Sequence, residues 1–283
     1  MFELKLENAD HNIIDIDDGK NYIVTGCSGL NPTSAMIFTS KSPTRKGVRY
    51  NGSTLNERQI VVSIKILGDI ERNRNALYEW IDTEQYVKVH YRGEVKSVYC
   101  EGHIQDCDFD IFTDNEIINL AIICENPYWK DLSAISVDIT KTLKQFAFPF
   151  SIEREGIPFS TIREGNETNV YNAGAETGCI IRIVCNGTIE NLTIFDADNS
   201  TRIFKINTTL LQSWVVEINT EDSPKTCKAF LPDSTVTNLM KYVGNNPAWF
   251  TLKKGNNRFG FIADSGADNA EISVSFTNKW AGV

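Results

Sequence analysis

Residues 58–81, RQIVVSIKILG followed by DIERNRNALYEWI, leave few folds open to the rest of the chain. The first part alternates as a long strand does. Ile60, Val62, Ile64 and Ile66 fall on one face, and Val61, Ser63, Lys65 and Leu67 on the other. Both faces are largely apolar, so the pattern predicts a central strand covered on each side. Gly68 ends it, and Asp69 is placed to cap a helix over about 69–82. Ile70, Asn73, Leu77, Trp80 and Ile81 make the inner stripe of that helix, leaving Glu71, Arg72, Arg74 and Glu79 for water. No other stretch reads convincingly as a helix. A mostly β chain with one amphipathic helix uses that helix to plug a barrel end or to pack a neighbouring subunit.

The remaining pattern is all strand and turn. Residues 86–91, 95–104, 107–111 and 117–124 read as further strands, with Arg92-Gly93-Glu94 as a hairpin turn. Asn126-Pro127 closes this first domain, because proline cannot continue a paired strand. Residues 131–168 read as a polar linker and the first edge of a second domain. From Tyr171 onward short strands recur, separated by turns such as Asn186-Gly187 and Lys254-Gly255-Asn256-Asn257. That spacing predicts a β-sandwich. The expected division is therefore 1–135 and 136–283.

Charge narrows the partners. Residues 1–140 hold 14 Lys and Arg against 22 Asp and Glu, a net of −8, and residues 141–283 hold 14 against 15. An acidic first half argues against a general nucleic-acid binder, which needs cations for phosphates. Against that background residues 41–58 stand out, with Lys41, Arg45, Lys46, Arg49 and Arg58 opposed by Glu57 alone. Two readings fit: a solvated hairpin loop, or an arm reaching an acidic neighbour. The start MFELKLENADHN lacks an apolar segment after a basic one, so no signal peptide is expected. Seven cysteines without a C-x-x-C pair read as buried free thiols.

Catalytic signatures are missing from the sequence. It contains no phosphate-binding G-x-x-x-x-G-K-[ST] and no G-x-S-x-G, and its three histidines are scattered. No enzyme, metal or cofactor is therefore expected. Asp106, Asp108 and Asp110 share one strand face, spaced about 6.6 Å apart, too far to grip one ion unaided. They read as a solvent face or as a negative wall lining a channel. Residues 196–200, Asp-Ala-Asp-Asn-Ser, resemble the start of a calcium loop but lack its glycine and distant glutamate, and they sit where a hairpin turn is needed. Trp214, Trp249, Phe250 and Trp280 read either as core or as sugar-stacking aromatics. The second option gives the alternative function, a carbohydrate-binding or adhesion module.

The C-terminal stretch carries the most specific signal. Asn246-Pro-Ala-Trp249-Phe250-Thr-Leu252 runs into Gly255-Asn-Asn257, and the chain closes with Trp280-Ala-Gly282-Val283. This resembles the siphophage distal tail protein (Dit) family. The first domain agrees in order: Tyr22-x-Val24, Gly29-Leu30, the Arg45/Gly47 loop, the Arg58 strand with Gly68, the helix and Asn126-Pro127. The resemblance implies a mainly β protein, an N-terminal β-barrel or sandwich with one helix and a belt hairpin, then a galectin-like β-sandwich. It implies a virion component at the tail tip, assembled in the host cytoplasm, forming a homohexameric ring. Its implied partners are the tail tube protein, the tail-associated hub protein, and receptor-binding or baseplate proteins. DNA only passes through the lumen. On this template 41–58 is the belt, Arg45, Lys46, Arg49 and Arg58 are ring-interface candidates, and Asp106, Asp108 and Asp110 face the lumen.

Overall fold

The computed structural model describes residues 2–44, 46–109, 116–139, 142–144, 160–162, 168–221 and 224–283. The chain divides into two units, 1–132 with 279–283 and 133–278. The expected division at 135/136 did not foresee that the last five residues return to the first unit. The second unit is thus an insertion, tied to the first by two covalent connections.

In chain order the first unit contains β1 (Glu3–Asn8), β2 (Ile13–Asp15), β3 (Tyr22–Ser28), β4 (Ala35–Ser40), β5 (Arg49–Leu55), β6 (Arg58–Ile66), α1 (Ile70–Trp80), β7 (Tyr86–Arg92), β8 (Ser97–Phe109), β9 (Ile117–Cys124) and β10 (Trp129–Asp131). Its main sheet runs β2-β1-β7-β8-β9-β6-β3, and β10 joins β8 to the C-terminal strand Lys279–Trp280. One apolar cluster gathers Leu4 and Leu6 of β1, Val87 and Val89 of β7, Ile118, Leu120 and Ile122 of β9, and Ile60, Val62 and Ile64 of β6. A sheet whose strands all send one face into a single core must curl around it.

β6 lies inside this sheet, between β9 and β3, but is not covered on both faces. Ile60, Val62, Ile64 and Ile66 are buried, while Val61, Ser63 and Lys65 are half-exposed. The second face is apolar enough for burial, yet Ser63 and Lys65 leave it as the sheet's outer surface. Asp69 caps α1 as expected, its carboxylate accepting from the Arg72 N–H at 3.3 Å. Leu77 is the one fully buried residue of the helix. Asn73 holds the helix by hydrogen bonds instead of apolar contact. Its side chain donates to the Leu67 carbonyl at 2.7 Å, and its own carbonyl accepts from the Tyr22 hydroxyl at 2.8 Å. Arg74 does not face open water: it grips both oxygens of Glu116 at 2.6 and 2.8 Å. Nothing in the local 3.6-residue period signals that partner, which lies 42 positions away.

The second unit is the expected two-sheet stack. It contains β11 (Ile135–Asp138), β12 (Thr142–Lys144), β13 (Ser160–Ile162), β14 (Thr168–Asn172), β15 (Ile180–Cys185), β16 (Ile189–Glu190), β17 (Thr193–Asp196), β18 (Asn199–Lys205), β19 (Thr209–Leu210), β20 (Val215–Asn219), β21 (Thr226–Phe230), β22 (Val236–Asn238), β23 (Gly255–Ile262) and β24 (Ala270–Phe276). One sheet is β11-β24-β15-β20-β21-β22 and the other β14-β23-β17-β18. Ile181, Ile183, Val216, Ile218, Ile272 and Val274 from the first meet Val170, Ile194, Phe204, Phe259 and Phe261 from the second. Most of the expected linker, 140–141, 145–159 and 163–167, lies outside the described residues. All seven cysteines are free, and burial pushes Cys27, Cys179 and Cys185 up to about 11.

One polar knot fastens β1 to β7. Glu7 receives His11 Nδ1 on one oxygen and His90 Nε2 on the other, each at 2.6 Å. These two hydrogen bonds, with the charge of Lys88, hold its carboxyl below the usual glutamate value of 4.5 despite burial. A depressed folded-state value means the carboxylate stabilises the fold above that usual value, and the contribution is lost as pH falls through the folded one. Glu7→Gln is therefore expected to lower stability at pH 7 and to narrow its gap from the natural chain on acidification. Urea unfolding at stepped pH checks this, and a gap that does not change with pH would refute it.

Candidate assembly surface

β4 and β5 form a hairpin of their own, outside the main sheet. It begins earlier than the basic loop expected over 41–58. The ladder pairs Ala35 with Leu55 and Ser40 with Arg49, with a bulge after Phe38, and Asn56 closes its base by donating to the Ser34 carbonyl at 3.0 Å. Every residue of β4 is exposed. Ile37 is 61% and Tyr50 62% exposed, and Met36, Phe38, Val48 and Leu55 are open as well. Lys41, Lys46 and Arg49 put positive charge on the same arm, while Arg45 lies outside the described residues. A two-stranded ribbon bare on both faces is marginal in water, and a contiguous apolar surface of this kind marks a contact. Alternation in the sequence could not reveal the arm, because here both alternating faces are exposed.

Arg58 is not on that arm. Expected as an interface anchor, it is 0% exposed and belongs to the core of the first unit. It opens β6 with its side chain turned inward. The guanidinium donates through Nε to the Pro127 carbonyl at 2.9 Å, and through Nη1 to Asn31 at 2.8 Å and to Gly29. Nη2 reaches Pro127 and Ala281, each at 2.6 Å. Its carbon centre stands 5.3 Å from the Trp129 ring. Among the described residues no carboxylate pairs with it, and burial draws its pKa down from the ordinary arginine value. Four carbonyl dipoles and an aromatic face take the place of a counter-ion.

The surrounding residues complete the knot. Gly29, with φ +84, lies so close to β6 that a Cβ would run into the Gln59 carbonyl. Gly282 packs against Pro32, and the Val283 N–H donates to the Leu30 carbonyl at 3.2 Å. Trp280 pairs with Trp129 across the strands, and its indole donates to Asp131 at 2.6 Å. Gly29-Leu30, Arg58, Asn126-Pro127 and Trp280-Ala-Gly282-Val283 are scattered in sequence, and the fold brings them to one place.

The acidic row sits near the far end of β8. Asp106 and Asp108 are exposed, opposite Ala121 and Asn119 of β9, and Asp110 lies outside the described residues. Asp106 accepts from the Cys107 N–H at 2.9 Å. Burial first, and then the two aspartates, push the Cys107 thiol up to about 12. Among the described residues no group of three or more histidine, cysteine or acidic side chains could hold a metal ion. The aromatics weighed as sugar platforms are mostly structural. Phe250 is buried in the core, Trp249 packs edge-on against Phe204 at 5.2 Å, and Trp280 belongs to the Arg58 knot.

Residues 172–280 match the family described as siphovirus-type tail component, C-terminal domain. A crystal structure of the phage SPP1 Dit protein (gp 19.1), titled a paradigm of the hub adsorption apparatus in phages infecting Gram-positive bacteria, superposes with a TM-score of 0.70 at 15% identity. That match covers 98% of this chain and 99% of the other. A chain of the phage P2 baseplate in its activated conformation with calcium gives a TM-score of 0.53 at 15% identity over the whole of both chains. No curated protein matches in sequence.

Arg58→Met is expected to leave four carbonyls without their donor and cost about 3 kcal/mol or more. Arg58→Lys should recover little, since one ammonium cannot reach carbonyls on opposite sides. Carboxypeptidase digestion followed by intact mass reads the local effect. Both variants should lose residues 279–283 faster than the natural chain, and equal rates in all three would show that the knot does not hold the C-terminus.

Proposed function

We propose that copies of this chain, whose residues 172–280 match the siphovirus-type tail component C-terminal domain and whose fold is similar to that of a distal tail protein, close into a homohexameric ring at the tail tip. The ring joins the tail tube protein to the tail-associated hub, and it carries receptor-binding or baseplate proteins. Its role is structural and not catalytic. The observation that carries this reading is the exposed β4–β5 arm, a paired ribbon whose apolar and cationic side chains are not covered by the described residues.

A ring needs a patch that meets a different patch on the next copy and a rotation that closes. The arm supplies the first patch through Arg45, Lys46 and Arg49, with Ile37, Phe38 and Tyr50 as its apolar part. The acidic first unit supplies the second. Arg58 drops out of this set because it is spent inside its own chain. Arg45→Glu/Arg49→Glu should leave a folded chain that no longer assembles, and so should Ile37→Asp/Tyr50→Asp. Mass photometry of the natural chain should give a species six times the 31.8 kDa monomer, reduced to monomer in both variants. A full-strength hexamer in both would remove the arm from the contact.

In this ring Asp106, Asp108 and Asp110 line the bore, where negative charge keeps passing DNA from adhering. Asp106→Lys/Asp108→Lys should still form rings but retain duplex DNA in a gel-shift at low salt, whereas the natural ring should not. Rings of both kinds that ignore DNA equally would place the row elsewhere.

A further inference from the structure

A cavity of about 320 Å³ lies in the second unit, where the β17–β18 turn meets the loop entering β23. The assembly reading makes no use of it. Asp196, Asp198 and Arg202 line it together with Lys253, Lys254 and Arg258. We propose that this cavity binds a phosphate-bearing polyol or sugar, with the phosphate on Lys253 and Lys254 and the hydroxyl groups on the neighbouring aspartate–arginine pairs.

The charge arrangement points to an anion. Arg202 Nη1 lies 3.1 Å from Asp196, and Arg258 Nη1 lies 3.2 Å from Asp198. Both lining carboxylates are therefore engaged by guanidinium groups, which offset the negative charge that a cation would need. The calcium-loop resemblance of residues 196–200 fails for this reason, and Asp196 also closes the turn by accepting from the Asp198 N–H at 3.0 Å. Lys253 and Lys254 make no ion pair among the described residues. The nearby acid Glu176 is held by the Thr251 hydroxyl. Both lysines line the cavity, and in a chain of net charge −9 this local excess of positive charge does not follow from composition.

The lysine loop is also held in place. Asn257 Oδ1 accepts from the Lys253 N–H at 2.8 Å, and its Nδ2 donates to the carbonyls of Lys253 at 2.8 Å and Gly255 at 3.1 Å. Gly255, at φ +99, supplies the left-handed turn that brings this amide back onto the loop. A loop braced by its own side chain loses little freedom on binding. Ammonium groups serve phosphate as point charges, and a carboxylate held by one guanidinium keeps lone pairs for a ligand hydroxyl. The volume suits a small phosphorylated ligand.

Isothermal titration calorimetry on the full chain tests this with sn-glycerol 3-phosphate, glucose 6-phosphate, inorganic phosphate, glycerol and glucose. At least one phosphorylated polyol should bind about tenfold or more tighter than inorganic phosphate, and the neutral compounds should give no heat. Lys253→Gln/Lys254→Gln should weaken that binding about tenfold or more, Lys253→Arg/Lys254→Arg should keep it, and Lys20→Gln should not alter it. The arm variant Arg45→Glu/Arg49→Glu should bind as the natural chain does, which separates this site from the ring. No binding by either phosphorylated compound would overturn the proposal. So would inorganic phosphate binding as tightly as both, or a glutamine variant that binds unchanged.

Discussion

The first unit depends on one buried cation. Arg58 carries a charge into a core where no carboxylate among the described residues meets it, and four carbonyls from three distant segments converge to solvate it. Removing an ion from water costs several kcal/mol, so each of those carbonyls must arrive for the fold to be worth forming. The segment at Gly29–Asn31, the turn at Pro127 and the tail at Ala281 are thereby fixed relative to β6 in a single event. This makes the C-terminal residues part of the first unit, with the whole of residues 133–278 looped out between them. A chain with that connectivity cannot complete its first unit until residues 279–283 have been made.

The arm presents the opposite situation. Where Arg58 is fully engaged within its chain, β4 and β5 satisfy one another's backbone and leave their side chains uncovered among the described residues. Ile37, Phe38 and Tyr50 would be unremarkable in a core, and on a bare ribbon they cost solubility without adding stability. The same ribbon carries lysine and arginine on an otherwise acidic unit. Apolar surface gives a contact its strength, and the charge contrast gives it a direction and disfavours arm-to-arm pairing. Both features fit one structural demand, a head-to-tail contact between unlike patches.

Much of the fold was legible from local pattern. Period-two alternation marked β6, β7 and the strands of the second unit, and the cap at Asp69 marked the start of α1. What alternation could not supply was partnership across the chain. It counted Val61 and Leu67 toward a covered face, although Ser63 and Lys65 on that face already signalled the outside. It set Arg74 facing water because Glu116 is remote in sequence. It grouped Arg58 with the basic run 41–58 because charge density is a sum over neighbours and carries no information on direction. The order of short motifs held the missing signal: Gly29, Arg58, Pro127 and the C-terminal Ala-Gly-Val belong together because they meet at one guanidinium.

The second unit shows the same limit from the other side. Its aromatics were the features that suggested a binding surface, and the core absorbs them because a two-sheet stack needs large apolar volume between its layers. The residues left at the mouth of the stack are polar, unremarkable in any window, and drawn from two turns about 50 positions apart. Asp196 and Asp198 resembled the start of a calcium loop in isolation, although a plain hairpin turn was the better reading. Once Arg202 and Arg258 engage them, the sign of the cavity is set by Lys253 and Lys254, which make no ion pair among the described residues. In the sequence these aspartates read as a hairpin turn with a weak likeness to a calcium loop, and only the fold sets Lys253 and Lys254 beside them in one cavity.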